Sequence, residues 1–124
     1  MASSFRDLVV WQEAHKLVLM IYKVTTAFPN AEQYGLTSQI RRAAVSVPAN
    51  IVEGFHRQSW QEKTRFYNIA EASLEEVKYY LILASDLDYI KSIADLNAQA
   101  DSVGRLLHRF NQGAQQNRQG PPHA

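Results

Sequence analysis

Apolar residues recur with helical spacing in four successive stretches of the chain. In each stretch the steps alternate between three and four residues, so the side chains share one face of an α-helix. None of the stretches shows the period of two that marks a β-strand. The four stripes are Val10, Ala14, Leu17, Ile21, Val24 and Phe28; Leu36, Ile40, Ala43, Val47 and Asn50; Phe66, Ala70, Ser73, Val77, Tyr80, Ala84 and Leu87; and Ile93, Leu96, Ala100, Val103, Leu107 and Phe110. This pattern predicts an all-α fold, an antiparallel up-down four-helix bundle.

Capping residues and prolines suggest where the helices begin and end. The first helix is predicted over residues 8–27 and the third over residues 60–87. Ser59 and Glu62 have the spacing of a capping box ahead of the third helix, and Asn30 and Gln33 have a similar spacing ahead of the second. Pro48 lies inside the second stripe, where its missing N–H predicts a kinked helix or two helices.

The chain length of 124 residues predicts one domain. We assign residues 1–112 to a single four-helix bundle domain. Residues 113–124 contain almost no apolar side chain and are predicted to form a flexible polar tail.

Composition excludes several classes of protein. With 46% hydrophobic and 20% charged residues the chain is typical of a globular domain rather than a disordered one. It has no cysteine, which excludes disulfides and thiolate metal sites. We find no apolar run long enough to span a membrane and no signal-peptide pattern, so the expected location is cytoplasmic, with no membrane partner.

The net charge of +1 conceals an uneven distribution along the chain. Residues 37–70 carry five basic and two acidic side chains, residues 71–101 two basic and seven acidic ones, and residues 102–124 three basic ones. In an up-down bundle the turn between helices two and three lies at the same end as the end of helix four. The candidates for nucleic-acid binding at this basic end are Arg57, Lys63, Arg65, Arg105 and Arg109. The alternative is that these cations pair with nearby glutamates or face water.

Helices one and three carry more apolar residues than one stripe requires. A helix that is apolar most of the way round is covered on more than one side, which indicates a homo-oligomer. The alternative is that these residues are scattered over the surface of a monomer. The candidate interface residues are Trp11, Val18, Leu19, Tyr22, Tyr79 and Ile82.

The sequence offers little catalytic chemistry. Glu53 and His56 have the Glu-x-x-His spacing of di-iron bundles, but such a site needs a second copy of the motif. Glu75 and Glu76 are adjacent, so on a helix they point in different directions. We therefore predict no catalytic residue, no metal ligand and no cofactor, and no small-molecule substrate is evident. The expected protein is not an enzyme.

Three stretches carry a family resemblance. They are the run from Phe5 to His15, the run from Gln39 to Gly54, which includes Ser46-Val47-Pro48, and the run from Phe66 to Glu76. Together they resemble the small bacterial proteins first noticed as open reading frames within intervening sequences of 23S ribosomal RNA genes. The accessory protein of diversity-generating retroelements is similar at a greater distance.

This resemblance implies a four-helix bundle, and in some members a pentameric ring, so a pentamer is the favoured assembly. The distant relative is strongly basic and binds nucleic acid, whereas this chain has a net charge of only +1. The resemblance implies structural rather than catalytic roles for the motif residues Arg41, Arg42, Pro48, Asn50, Glu53, Gly54, Glu71 and Glu76. We expect Arg41 or Arg42 to pair with Glu71 or Glu76. The predicted function is an oligomeric scaffold or interaction protein; the alternative is an RNA- or DNA-binding accessory protein.

Overall fold

Four α-helices form the protein in the computed structural model, which describes residues 2–119. They are α1 (Val9–Thr25), α2 (Leu36–His56), α3 (Trp60–Asp86) and α4 (Ala94–Gln119). Short 3-10 turns at Phe5–Asp7 and Asn30–Glu32 precede α1 and α2. Within the described range there is no β-strand, which confirms the predicted all-α fold.

Each helix packs against two neighbours. Backbone contacts join α1 to α2, α2 to α3, α3 to α4 and α4 to α1, while the diagonal pairs α1–α3 and α2–α4 make none within residues 2–119. Contacts across α2 and α3 pair residues in opposite sequence order, Ser46 with Ser73 and Gly54 with Tyr67. This is the arrangement of a four-helix bundle, with α1 and α3 on opposite sides.

The core follows three of the four predicted stripes closely. The α1, α2 and α4 stripes are buried over most of their length, including Leu17, Ile40 and Leu107, which have no exposed surface. The α3 stripe is turned relative to the prediction. Its buried side chains are Thr64, Tyr67, Ala70, Leu74, Val77, Leu81 and Ala84. The buried face of α3 is shifted because it must fit α2 and α4 together.

The predicted start of α2 is wrong. Asn30 begins a 3-10 turn and does not cap the helix, which starts at Leu36 after Gly35. The helix then runs to His56 without a break at Pro48, so the alternative of two separate helices is also wrong. At α3 the predicted Ser59 cap is present, since its hydroxyl accepts a hydrogen bond from the Glu62 backbone N–H at 3.1 Å.

The polar segment after residue 112 is helical as far as it is described. Helix α4 continues to Gln119, and Ala114 is only 3% exposed. The predicted tail over residues 113–119 is therefore corrected to helix, because one more apolar side chain reaches the core on the buried face of α4. The rest of the predicted tail, residues 120–124, lies outside the described residues.

Candidate interaction surfaces

Two exposed apolar patches lie on opposite helices. On α1, Leu19 is 57% and Tyr22 41% exposed; on α3, Tyr79 is 57% and Ile82 53% exposed. Each pair is three residues apart and so shares one face of its helix. We call these the α1 patch (Leu19 and Tyr22) and the α3 patch (Tyr79 and Ile82). Four of the six predicted interface residues are thus open to a partner.

The other two predicted interface residues are wholly or partly covered by their own chain. Val18 is only 8% exposed and belongs to the core, so its assignment to an interface is wrong. It lies next to Leu17 on α1, and the buried face of the helix is wide enough to include both. Trp11 is half-buried; its ring meets Phe5 edge-on at 5.0 Å and stacks on His15 at 5.2 Å.

Both patches lie at the same end of the bundle. The segments that follow α1 and α3 touch, because the rings of Phe28 and Tyr89 are 5.4 Å apart. The Tyr89 hydroxyl also donates a hydrogen bond of 2.8 Å to the Glu32 carboxylate. Each patch lies within about two turns of this end, so the two are level with each other on opposite sides of the molecule.

The Glu32 contact predicts a pH dependence of stability. Hydrogen bonds from the Leu36 backbone N–H and the Tyr89 hydroxyl lower the pKa of Glu32 below its ordinary value of 4.5. A carboxyl group whose pKa is lower in the folded than in the unfolded state stabilises the fold at pH values above its unfolded-state pKa. This contribution is lost as the pH falls through the folded-state pKa. Glu32→Gln should therefore be less stable than the wild type at neutral pH, with the difference shrinking below about pH 4.5.

Urea unfolding of both proteins across this pH range measures the effect. Tyr89→Phe serves as the matched control, since it removes one of the two hydrogen bonds and should lose part of the same pH dependence. An equal difference between wild type and Glu32→Gln at every pH would contradict the prediction.

The predicted basic end is assembled from α2, α3 and α4, but several of its cations are engaged. Arg57 pairs with Glu53 at 3.2 Å and Arg65 with Glu62 at 3.4 Å. Both guanidinium groups lie over the ring of Phe66, at 4.8 and 5.3 Å. These pairs are exposed, and exposed pairs contribute little to stability.

Lys63 is directed inward rather than toward solvent. Its ammonium donates hydrogen bonds to the backbone carbonyls of Phe55 at 2.7 Å and Gly54 at 3.3 Å, at the end of α2. A cation there compensates the negative end of the helix dipole. Partial burial lowers the pKa of Lys63. On α4, neither Arg105 nor Arg109 forms an ion pair with a described residue, so these two are the least committed cations of the set.

The expected pairing of motif arginines with glutamates on α3 does not form. Arg41 instead joins α2 to α1: its Nε donates to the Thr25 hydroxyl at 2.8 Å, and its guanidinium lies 4.6 Å from the ring centre of Tyr22. Arg41 is therefore drawn away from α3. Glu71 accepts a hydrogen bond from Asn111 of α4 at 3.2 Å.

Of the other motif residues, Arg42 and Glu76 line a polar groove between α2 and α3. A cavity of about 310 Å³ there is lined by Gln39, Arg42, Ala43, Ser46, Ser73 and Glu76. The Ser46 and Ser73 hydroxyls are hydrogen-bonded at 2.9 Å, and Asn50 donates to the Ser46 hydroxyl at 2.9 Å. These small side chains link α2 to α3 at mid-length.

Glycine at position 54 lets α2 and α3 approach closely at the basic end. A Cβ at this position would lie 2.5 Å from Cε1 of Tyr67 and 3.1 Å from the Lys63 carbonyl oxygen. Of the sequence motif, Gly54 therefore has the clearest structural role. Nearby, Glu53 pairs with Arg57, and across the described part of the chain no group of three or more His, Asp or Glu side chains could hold a metal ion.

Sequence reasoning missed a buried polar contact between α3 and α4. Asn111 is only 5% exposed and donates to the Asn68 side chain at 2.8 Å. The signal was present in the pattern, because Asn111 lies one helical turn after Leu107 on the apolar stripe of α4. It was hidden because Phe110 also fits the spacing.

No helix within residues 2–119 is both long and apolar enough to cross a membrane.

Comparisons with known proteins give a family and a structural neighbour. A protein of unknown function from Bacteroides thetaiotaomicron, described as belonging to the S23 ribosomal protein family, has a similar fold, with a TM-score of 0.76. The two are 23% identical, and the similarity covers 84% of this chain and 96% of the other. No curated protein sequence matches. The family model for the 23S rRNA-intervening sequence protein matches residues 6–109, so this chain belongs to that family.

Proposed function

We propose that the protein is a cytoplasmic, non-enzymatic scaffold that assembles as a ring of identical subunits, with five the favoured number. The observation that carries this proposal is the pair of exposed apolar patches on opposite helices at one end of the bundle. Large exposed apolar side chains grouped on a helix face are typical of protein–protein contacts. The number five comes from the family resemblance.

The placement of the patches favours a head-to-tail contact. If the α1 patch of one subunit meets the α3 patch of the next, each subunit uses two different surfaces. Such heterologous contacts produce a closed ring when the rotation between subunits divides a full turn. Because both patches lie at the same level along the bundle, one subunit can contact the next without a translation along the axis of the assembly. This favours a closed ring over a filament.

Light scattering on the purified protein tests the assembly. We expect a mass of about five times the 14.1 kDa of one chain at micromolar concentration. A mass near that of a single chain would refute the oligomer. A stable mass corresponding to two chains would refute the ring, because a dimer needs only one self-complementary surface.

Nucleic-acid binding at the basic end is a second candidate function. The observation in its favour is that Arg105 and Arg109 lie one turn apart on α4 without a carboxylate partner among the described residues. Cations that are not neutralised by the protein can bind phosphates and release counterions from the nucleic acid.

Retention on a heparin column tests this candidate. We expect binding at low salt that weakens steeply as salt rises, and earlier elution of an Arg105→Gln, Arg109→Gln double variant. A Lys16→Gln, Lys23→Gln double variant is the matched control, since it removes the same charge from α1. Equal shifts in the two double variants, or no retention at low salt, would contradict a specific role for the basic end.

A further inference from the structure

An aromatic cavity lies at the basic end, where α2, α3 and α4 meet. Its volume is about 360 Å³, within the range of small-molecule sites. Its walls include the rings of Phe55, Trp60, Tyr67 and Phe110, and Gly113 also lines it. Aromatic walls on several sides favour a flat ligand, because ring faces and edges pack well against planar groups.

The cavity contains a polar group without a partner. Tyr67 is 1% exposed, and its hydroxyl makes no hydrogen bond with any described residue. Tyr67 is one of the residues that line the cavity. Burial raises the pKa of Tyr67 to about 12, so the hydroxyl keeps its proton and can donate a hydrogen bond to a ligand.

Two cations flank the same cavity. The Lys63 ammonium lies 5.6 Å from the ring centres of both Phe55 and Trp60, so its charge adjoins the aromatic walls. Arg109 also lines the cavity and has no carboxylate within ion-pair distance among residues 2–119. Since Lys63 already donates to two carbonyls, Arg109 has the more available donors for an anion.

We propose that this cavity binds a planar aromatic group that carries a negative charge. The ring lies among Phe55, Trp60 and Phe110, the anion is bound by Arg109, and the Tyr67 hydroxyl donates to a polar atom of the ligand. A nucleotide and an aromatic carboxylate share this chemistry. The proposal depends neither on the ring of subunits nor on retention by heparin, because its probes are single small molecules.

Fluorescence of Trp60 gives a direct readout of binding. The chain has two tryptophans, so Trp11→Phe leaves Trp60 as the only one. In this background, adenosine monophosphate and benzoate are titrated as the two sources of the proposed chemistry, with adenosine and inorganic phosphate as probes of each half alone. We expect saturable quenching by at least one of the two aromatic anions and weaker binding of adenosine and phosphate. Tighter binding of the nucleotide or of benzoate identifies the source.

Substitutions separate the cavity from general charge effects. In the Trp11→Phe background, Arg109→Gln should weaken the anionic probe about tenfold, and Tyr67→Phe about fivefold. Arg118→Gln is the matched control: it removes the same charge from α4, and Arg118 does not line the cavity. The proposal is overturned if no probe quenches the fluorescence saturably. It is also overturned if adenosine binds as tightly as adenosine monophosphate and its binding persists in Arg109→Gln. A third contrary result would be that Arg118→Gln weakens binding as much as Arg109→Gln.

Discussion

Replacing Gly54 with alanine is expected to destabilise the bundle by about 2 kcal/mol, which lowers the folding equilibrium constant roughly thirtyfold. The added methyl group would lie 2.5 Å from Tyr67 Cε1 and 2.8 Å from its Cδ1. Tyr67 cannot move freely, because it is 1% exposed and its ring is 4.8 Å from that of Phe110. The clash therefore displaces α3 from α2, and the strain exceeds the gain of about 1 kcal/mol in helix propensity.

A second glycine supplies the matched control. Gly113 lies inside α4, and a Cβ there would meet no atom within 4 Å. Gly113→Ala should therefore stabilise the protein by about 0.5–1 kcal/mol through helix propensity alone. Urea unfolding followed by far-ultraviolet circular dichroism measures both variants, at one fixed protein concentration because assembly also contributes to stability.

A double variant tests whether Tyr67 is the cause. Tyr67→Leu removes the ring atoms that Gly54→Ala would strike, so the combined variant should be more stable than the sum of the two single effects predicts. If the effects of the two single substitutions on stability simply add, the destabilisation by Gly54→Ala does not come from contact with Tyr67. Gly54→Ala and Gly113→Ala having the same effect would contradict the proposed close approach of α2 and α3.

Placing a glutamate in either apolar patch is expected to dissociate the ring. Leu19→Glu or Ile82→Glu would bury an unpaired charge at the proposed contact, which is strongly unfavourable. The mass measured by light scattering should fall from several chains toward one, while the helix content stays unchanged because both positions are more than half exposed in the single subunit. Ala98→Glu, at an exposed position on α4, adds the same charge outside both patches and should keep the wild-type mass.

Mixing the two patch variants distinguishes head-to-tail contacts from self-complementary ones. The Leu19→Glu protein keeps its α3 patch, and the Ile82→Glu protein keeps its α1 patch. In a head-to-tail assembly these two intact surfaces complement each other, so the mixture should form a species of two chains that grows no further. If each variant instead forms a dimer alone and mixing them produces no new species, each patch contacts the same patch of another chain. That result would refute the ring.

The local pattern of residues was enough to predict the helices but not every boundary. The spacing of three and four residues predicted α1 over 8–27 and α3 over 60–87, within two residues of Val9–Thr25 and Trp60–Asp86. The start of α2 was misplaced because Asn30 begins a 3-10 turn instead of capping the helix. The Glu32 carboxylate in this turn accepts hydrogen bonds from the Leu36 N–H and from Tyr89, which is distant in the sequence. No local signal contains such a contact.

Which residues form the candidate surfaces depends even more on long-range packing than the helix boundaries do. Leu19 and Ile82, two of the candidate interface residues, are exposed, and the rotation of α1 in the bundle decides that Val18 is buried. The charge pattern located a basic end, but the inward direction of Lys63 follows from the free carbonyls at the end of α2. The aromatic cavity was not predicted, because its walls come from three helices.

Helical class, the approximate positions of the four helices and most of the core side chains follow from the local pattern of residues alone, whereas the start of α2 does not. Helical periodicity is a local property, since a residue and its neighbours three and four positions away share a face whatever else the chain does. Packing of the helices against one another sets how far each helix turns about its own axis, and with it which apolar residues stay exposed. It also explained why glycine occupies position 54, because a close approach between two helices is a property of the pair.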